Sequence, residues 1–226
     1  MSILFTLIFL LLITTFMCSC YIIYSRSLLR SSKQLEPHFK PNDKVMFYKY
    51  LNKATMYFEF GSGGSTYQAS IRDNIEHVYS VESDKYWSDK LKQTLAKHNH
   101  KVTYLFNDMG TTADTWGAPG KTATKDQLKK YSDQIVMLDP KISNKLDLIL
   151  IDGRFRVACC LKCFNVINDN CVIAFDDFLK RPYYNVVLGY YDIIESSNDK
   201  HMVILKKKRN VTMNSELIKK YELIQD

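Results

Sequence analysis

Apolar positions fall into three textures along this chain. From Ile3 to Tyr24 they run almost without interruption, and no side chain from Met1 to Ser25 carries a charge. At about 1.5 Å per helical residue that stretch spans roughly 33 Å, the thickness of a hydrocarbon core. A cleaved signal peptide would have a charged leading segment and a shorter apolar run, so residues 1–25 are expected to be a transmembrane anchor. Residues 26–43 then read as a polar linker, and residues 44–226 as one domain.

Within that domain, short apolar runs alternate with helical periodicity. Helices are expected at Lys44–Leu51, Ser65–Asn74, Asp84–Lys97 and Arg156–Ile167. Strands are expected at Ala54–Phe60, His77–Val81, Lys101–Phe106, Leu146–Ile151 and Cys171–Phe175. Asp147-Leu-Ile-Leu-Ile151 and Cys171-Val-Ile-Ala-Phe175 are apolar without alternation, as strands buried on both faces should be. Such an order predicts an α/β fold with a mostly parallel sheet covered by helices. Tyr191–Ile194 and His201–Leu205 are separated by six polar residues, too few for a crossover helix, so they should close the sheet as an antiparallel hairpin. The stretch from Met109 to Lys145 is irregular, with a possible helix near Lys125–Tyr131, and is a candidate lid or substrate loop.

Composition sharpens this picture in two places. The chain has 31 Lys and Arg against 24 Asp and Glu, a net charge of +7, too scattered to mark a nucleic-acid surface. Three of those cations, Arg26, Arg30 and Lys33, directly follow the apolar span, so the domain is expected to face the cytoplasm in a single-pass membrane arrangement. Cys159, Cys160, Cys163 and Cys171 cluster too closely for a disulfide framework and read as small core residues.

The chemistry sits at the strand ends. Glu59-Phe-Gly-Ser-Gly-Gly-Ser-Thr66 places glycines where a strand turns into a helix, which leaves backbone N–H groups open to a ligand. Glu82 ends the next strand about 20 residues later, where an acid can accept hydrogen bonds from a ribose diol. A nicotinamide fingerprint asks for glycine or alanine at position 66, where this chain has Thr66. Asp152 ends the fourth strand, and Asp176 with Asp177 ends the fifth. A divalent cation such as Mg²⁺, or a basic partner, would relieve the repulsion among three carboxylates gathered there. In the alternative, Asp176 and Asp177 cap the next helix or pair with Arg154, Arg156 or Arg181.

Glu59-Phe-Gly-Ser-Gly-Gly-Ser-Thr66, Val81-Glu-Ser-Asp84 and Ile151-Asp-Gly153 resemble the strand-end motifs of class I S-adenosylmethionine-dependent methyltransferases, over roughly Asp43 to Lys206. The resemblance implies a Rossmann-like seven-stranded sheet with a terminal antiparallel hairpin. It also implies S-adenosylmethionine as cofactor, held by Glu59, Gly61, Ser62, Gly63, Ser65, Glu82, Asp108 and Asp152. The carboxylate group is similar to that of metal-dependent O-methyltransferases, which implies Asp152, Asp176 and Asp177 as metal ligands. Position 155, where catechol enzymes carry a lysine base, is Phe155, so Asp152 or Asp177 is left as the candidate catalytic base. The expected acceptor is a hydroxyl of a small molecule, sugar or lipid-linked compound. Two alternatives stay open: a membrane-tethered binding protein that kept the fold without catalysis, and an NAD-dependent oxidoreductase.

Overall fold

The structure, a computed structural model, describes Met17, residues 35–113 and residues 115–225. The anchor expected at residues 1–25 lies outside the described residues except for Met17. Among the described residues, no helix is long and apolar enough to cross a membrane. A compact unit starts at Glu36.

In chain order this unit runs α1 (Pro41–Leu51), β1 (Met56–Phe60), α2 (Gly64–Ser70), β2 (His77–Glu82), α3 (Lys85–Thr94), β3 (Val102–Phe106), α4 (Lys125–Asp133) and α5 (Pro140–Ser143). It continues with β4 (Leu148–Ile151), α6 (Arg156–Cys163), β5 (Val172–Phe175), β6 (Tyr191–Ser196), β7 (Val203–Lys207) and α7 (Ser215–Tyr221). Short 3-10 turns occupy Phe178–Lys180 and Pro182–Gly189. The seven strands lie in the order β3-β2-β1-β4-β5-β7-β6. All neighbours pair in parallel except β7, which is antiparallel to both β5 and β6. The α/β fold and its closing hairpin thus match the expectation from the alternating pattern.

Burial explains which strands are central. Every residue of β4 and four of five in β1 are buried, whereas the edge strand β6 leaves most of its side chains open. Phe58, Phe60, Ile149, Ile151 and Phe175 join Cys159, Cys160 and Cys163 of α6 in one apolar core, so the cysteines pack as small hydrophobes. Their thiols are free, and burial pushes those of Cys160 and Cys163 well above the usual range.

Element boundaries shift by a few residues where polar side chains tie neighbouring ends together. Asp147, expected inside β4, lies just ahead of it: its backbone N donates to Met56 O (3.1 Å) and its O accepts from Val172 N (3.1 Å), while its carboxylate accepts from Thr55 N (2.8 Å), Thr55 Oγ1 (2.8 Å) and Met56 N (3.2 Å), which ties the starts of β1 and β4. Likewise Asn74, expected in α2, donates to Leu51 O (2.9 Å) and Ala54 O (2.6 Å) beyond the helix end at Ser70. Helix α7 is a segment that the hydrophobic pattern does not predict.

The strand order also locates a crevice. Chain direction along the sheet reverses between β1 and β4, and in such sheets a crevice opens outside the carboxyl ends of the strands at that point. The ladder runs one step past the strands there: Gly61 N donates to Val81 O (3.0 Å), Asp152 N to Phe60 O (3.0 Å), and Asp176 N to Ile151 O (3.0 Å). Gly61, Asp152 and Asp176 therefore stand in a row along one edge.

Candidate active site

The glycine turn is shaped from below by a buried acid. Glu59 is fully buried and accepts from Tyr57 Oη (2.8 Å), Ser65 Oγ (2.6 Å), Ser80 Oγ (2.6 Å) and the Thr66 hydroxyl. Burial pushes its carboxyl above the usual range, and the four hydroxyls oppose that shift. Thr66 Oγ1 also accepts from Gly63 N (2.8 Å), so the residue at the third position of the dinucleotide fingerprint links Glu59 to the turn. Glu59 and Ser65, expected among the cofactor contacts, are spent on holding the first turn of α2. Gly61 sits at φ 95°, and a Cβ there would come within 2.9 Å of the Gly153 backbone. Glycine is required at both positions for β1 and β4 to release their chains so close together.

Above the turn the arrangement is open to a ligand. A side chain at Gly63 would meet only the Trp87 indole, at 3.8 Å. Trp87 Nε1 donates to Ser62 O (2.9 Å), which sets the indole as a wall beside the turn. Glu82 faces the same place: Oε2 accepts from Ser62 Oγ (2.6 Å) and Ser62 N (3.3 Å), while Oε1 accepts from Ser83 N (2.7 Å) and Asp84 N (2.8 Å). Burial raises the Glu82 carboxyl, and those donors hold it back. The strand-end motifs do not include Trp87; its signal in the sequence is its place three residues past the N-cap Asp84, which points it back over the turn.

Asp108 stands past the end of β3, exposed, with Oδ1 accepting from Gly110 N (2.9 Å). Its neighbour Asn107 is the buried one, donating to Gln127 O (2.9 Å). The irregular loop after it forms a strap. Ser83 Oγ donates to Gly117 O (3.1 Å), and Arg154 donates to Trp116 O (3.0 Å) and Thr115 O (2.9 Å). Because β1 lies between the strands that carry Ser83 and Arg154, the strap runs across the glycine turn.

The acids of β4 and β5 do converge, but around an arginine. Arg156, with its side chain only 10% exposed, lies 3.2 Å from Asp152, 3.6 Å from Asp176 and 3.6 Å from Asp177. It also donates to Gly153 O (3.0 Å) and Asp176 O (2.7 Å). Where a metal is expected, the guanidinium supplies the positive charge at the point the three carboxylates share, and no group of three such side chains that could hold a metal ion is found among the described residues. Asp152 keeps 30% of its side-chain surface open, and Asp176 only 13%. Asp176 is pushed up to about 8, first by burial and then by the neighbouring Asp152 carboxylate. Asp152 is also raised, by burial, with Arg156 opposing. The two behave as a pair that shares a proton. Phe155, at the position of the missing lysine, is buried in a left-handed conformation (φ 54°) against Tyr131.

No protein-family model matches the chain, and no curated protein sequence matches it. Solved structures do. A methyltransferase-like protein from Silicibacter pomeroyi superposes with a TM-score of 0.71 at 25% identity, covering 84% of this chain and 97% of that one. The cofactor-bound Rv0187 protein from MTB superposes with a TM-score of 0.51 at 12% identity, covering 83% of this chain and 90% of that one, a likeness of fold. The resemblance to class I S-adenosylmethionine-dependent methyltransferases, carried in the sequence by the strand-end motifs, therefore holds across the whole domain.

Proposed function

We propose that this chain binds S-adenosylmethionine at the glycine turn and transfers its methyl group to a hydroxyl of a small-molecule, sugar or lipid-linked acceptor. The observation that carries this reading is the Ser62–Glu82 link: a carboxylate at the end of β2 locked onto the glycine turn of β1, beside the strand-order reversal, where a ribose diol and a charged methionine end both find partners. Gly63 leaves room for the backbone to approach the ligand, Trp87 walls it, and Asp152 offers a partly open carboxylate on the far side. Asp108, exposed past the end of β3, is the residue we assign to the adenine. S-adenosylmethionine would supply an electrophilic methyl on a positively charged sulfur, so the surrounding acids favour its binding and in-line presentation. The donor set does not fit Mg²⁺, because Arg156 fills the centre of the three carboxylates, and no metal step is invoked.

Residues 1–25 are proposed to tether the domain to a membrane, with Arg26, Arg30 and Lys33 holding it on the cytoplasmic side. The decisive experiment is isothermal titration of the full chain, in mild detergent, with S-adenosylmethionine, its demethylated product and NAD. Binding of the first two and not the third is expected; failure of both to bind at about 1 mM, a free energy weaker than roughly 4 kcal/mol, refutes the proposal. A screen for transfer of labelled methyl to catechols, sugars and lipid extracts then identifies the acceptor.

A further inference from the structure

Methyl transfer to a hydroxyl releases a proton, and the residues around the glycine turn and Arg156 are poorly placed to take it. Phe155 is buried core, and Asp152 and Asp177 both face Arg156. Three of the five histidines are at the wrong end of the sheet: His77 begins β2, and His98 and His100 precede β3, all at the amino edge of the parallel strands. His38 lies edge-on to Trp116 of the strap, with ring centroids 5.4 Å apart.

His201 is placed differently. It comes just before β7, whose first residue, Val203, pairs antiparallel with Phe175, so the hairpin delivers it to the carboxyl end of β5 beside the acids. Its carbonyl accepts from Leu179 N (3.3 Å), and its Nδ1 lies 3.4 Å from Asp177 Oδ1. Its Nε2 has no protein partner among the described residues, and its side chain is 23% exposed. Asp177 is held in a left-handed conformation (φ 59°), an unusual backbone for a residue other than glycine. Its Oδ2 is taken by Arg181 (3.1 Å) and Arg156 (3.6 Å), which leaves Oδ1 toward the imidazole. The other nearby acid, Asp199, is committed to Asn42 through bonds of 2.6 and 2.8 Å. A ring nitrogen steered by a carboxylate, with the opposite nitrogen unpartnered, is the arrangement of a general base.

We infer that His201 is the general base for the acceptor hydroxyl and that Asp177 is its positioning residue, a refinement that rests on the methyltransferase reading. Asp177 accepts the Nδ1–H, which fixes the tautomer and leaves the Nε2 lone pair for the acceptor. As the acceptor oxygen bonds to the methyl carbon, the carbon–sulfur bond breaks, sulfur keeps that electron pair, and the hydroxyl proton passes to Nε2. Solvent then removes the proton from the imidazolium. The 3.4 Å contact is long, as catalytic hydrogen bonds often are before both substrates are bound.

The test uses the full chain in mild detergent with the demethylated cofactor product present. Long-range ¹H–¹⁵N correlation of the neutral imidazole, assigned by the signal lost in His201→Gln, is expected to show the proton on Nδ1. Asp177→Asn should convert it to a mixture or to the Nε2–H form. With the acceptor found by the methyl-transfer screen, His201→Gln should lower kcat roughly 10²- to 10⁴-fold with little change in KM or in affinity for the cofactor product. A proton on Nε2 in the unmutated chain, or a His201→Gln variant that keeps its kcat within about threefold, overturns the assignment. Failure of the unmutated chain to bind the cofactor product instead refutes the methyltransferase reading, separately from the tautomer result.

Discussion

Replacing Asp176 with asparagine isolates the cost of crowding acids at the end of β5. In the folded protein this carboxyl is raised to about 8 from an ordinary value of 3.8, chiefly by burial and secondly by Asp152. Between those two values the folded state keeps a proton that the unfolded chain has lost. Stability from this site is therefore fully present below about pH 4 and is lost as pH rises toward 8, by about 1.4 kcal/mol per pH unit for one proton. Taken over the whole window, that slope sets an upper bound of about 6 kcal/mol. Proton sharing with Asp152 and relaxation around Arg156 bring the expected effect to roughly 2–4 kcal/mol. The asparagine side chain carries no charge, and its amide can donate to Asp152 as the shared proton does. Urea unfolding of the full chain in detergent, followed by the fluorescence of its two tryptophans, reads the difference. Near pH 5 the Asp176→Asn variant should match the unmutated chain within about 1 kcal/mol, and near pH 8 it should be more stable by roughly 2–4 kcal/mol at an unchanged m-value. An equal difference at both pH values, or a less stable variant at pH 8, refutes the account of a proton held between the two acids.

Other perturbations probe separate parts of the molecule. A Cβ at Gly153 would lie 2.0 Å from Tyr131 Oη and 2.9 Å from Gly61 N; Gly153→Ala should cost about 1–3 kcal/mol in denaturant unfolding, and Tyr131→Phe in the same chain should recover part of it. Lys162 is 5% exposed and bonds to Asp133 (2.6 Å), Glu222 (2.8 Å) and Ser132 (2.9 Å), which clips the C-terminal segment to α4 and α6. Lys162→Met should destabilise by about 3–5 kcal/mol, and adding Asp133→Asn with Glu222→Gln should restore much of that, because the loss comes from two carboxylates left without their cation. Glu82→Gln turns an N–H group toward donors on Ser62, Ser83 or Asp84; calorimetric affinity for S-adenosylmethionine is expected to fall roughly 10- to 100-fold, and an unchanged affinity would place the ribose elsewhere.

Much of the fold is written in short stretches of chain. The unbroken apolar runs of β4 and β5 announce central strands because both of their faces are covered, and the polar run Glu195–Lys200 between the last two apolar runs is too short for a crossover helix and leaves only a hairpin. The glycine turn is equally legible, since Gly61 must reach φ 95° and lie against Gly153. Thr66 stands out in the sequence only as a departure from the dinucleotide pattern; its physical reason, a hydroxyl bridging Glu59 and Gly63, becomes visible once the turn is folded.

What the linear sequence determined by itself was the alternation of strands and helices, the glycine turn and the three acids at strand ends. All of these follow from local rules: side-chain periodicity, backbone freedom at glycine, and chain direction in a parallel sheet. Only the tertiary structure decided what neutralises those acids and what faces them. Arg156, four residues from Asp152, meets Asp176 and Asp177 because β5 runs beside β4. His201, 24 residues beyond Asp177, reaches it because β7 returns antiparallel along β5. A charge at a strand end is a property of one segment, but its partner is set by which strand lies alongside, and that is decided by packing the whole sheet.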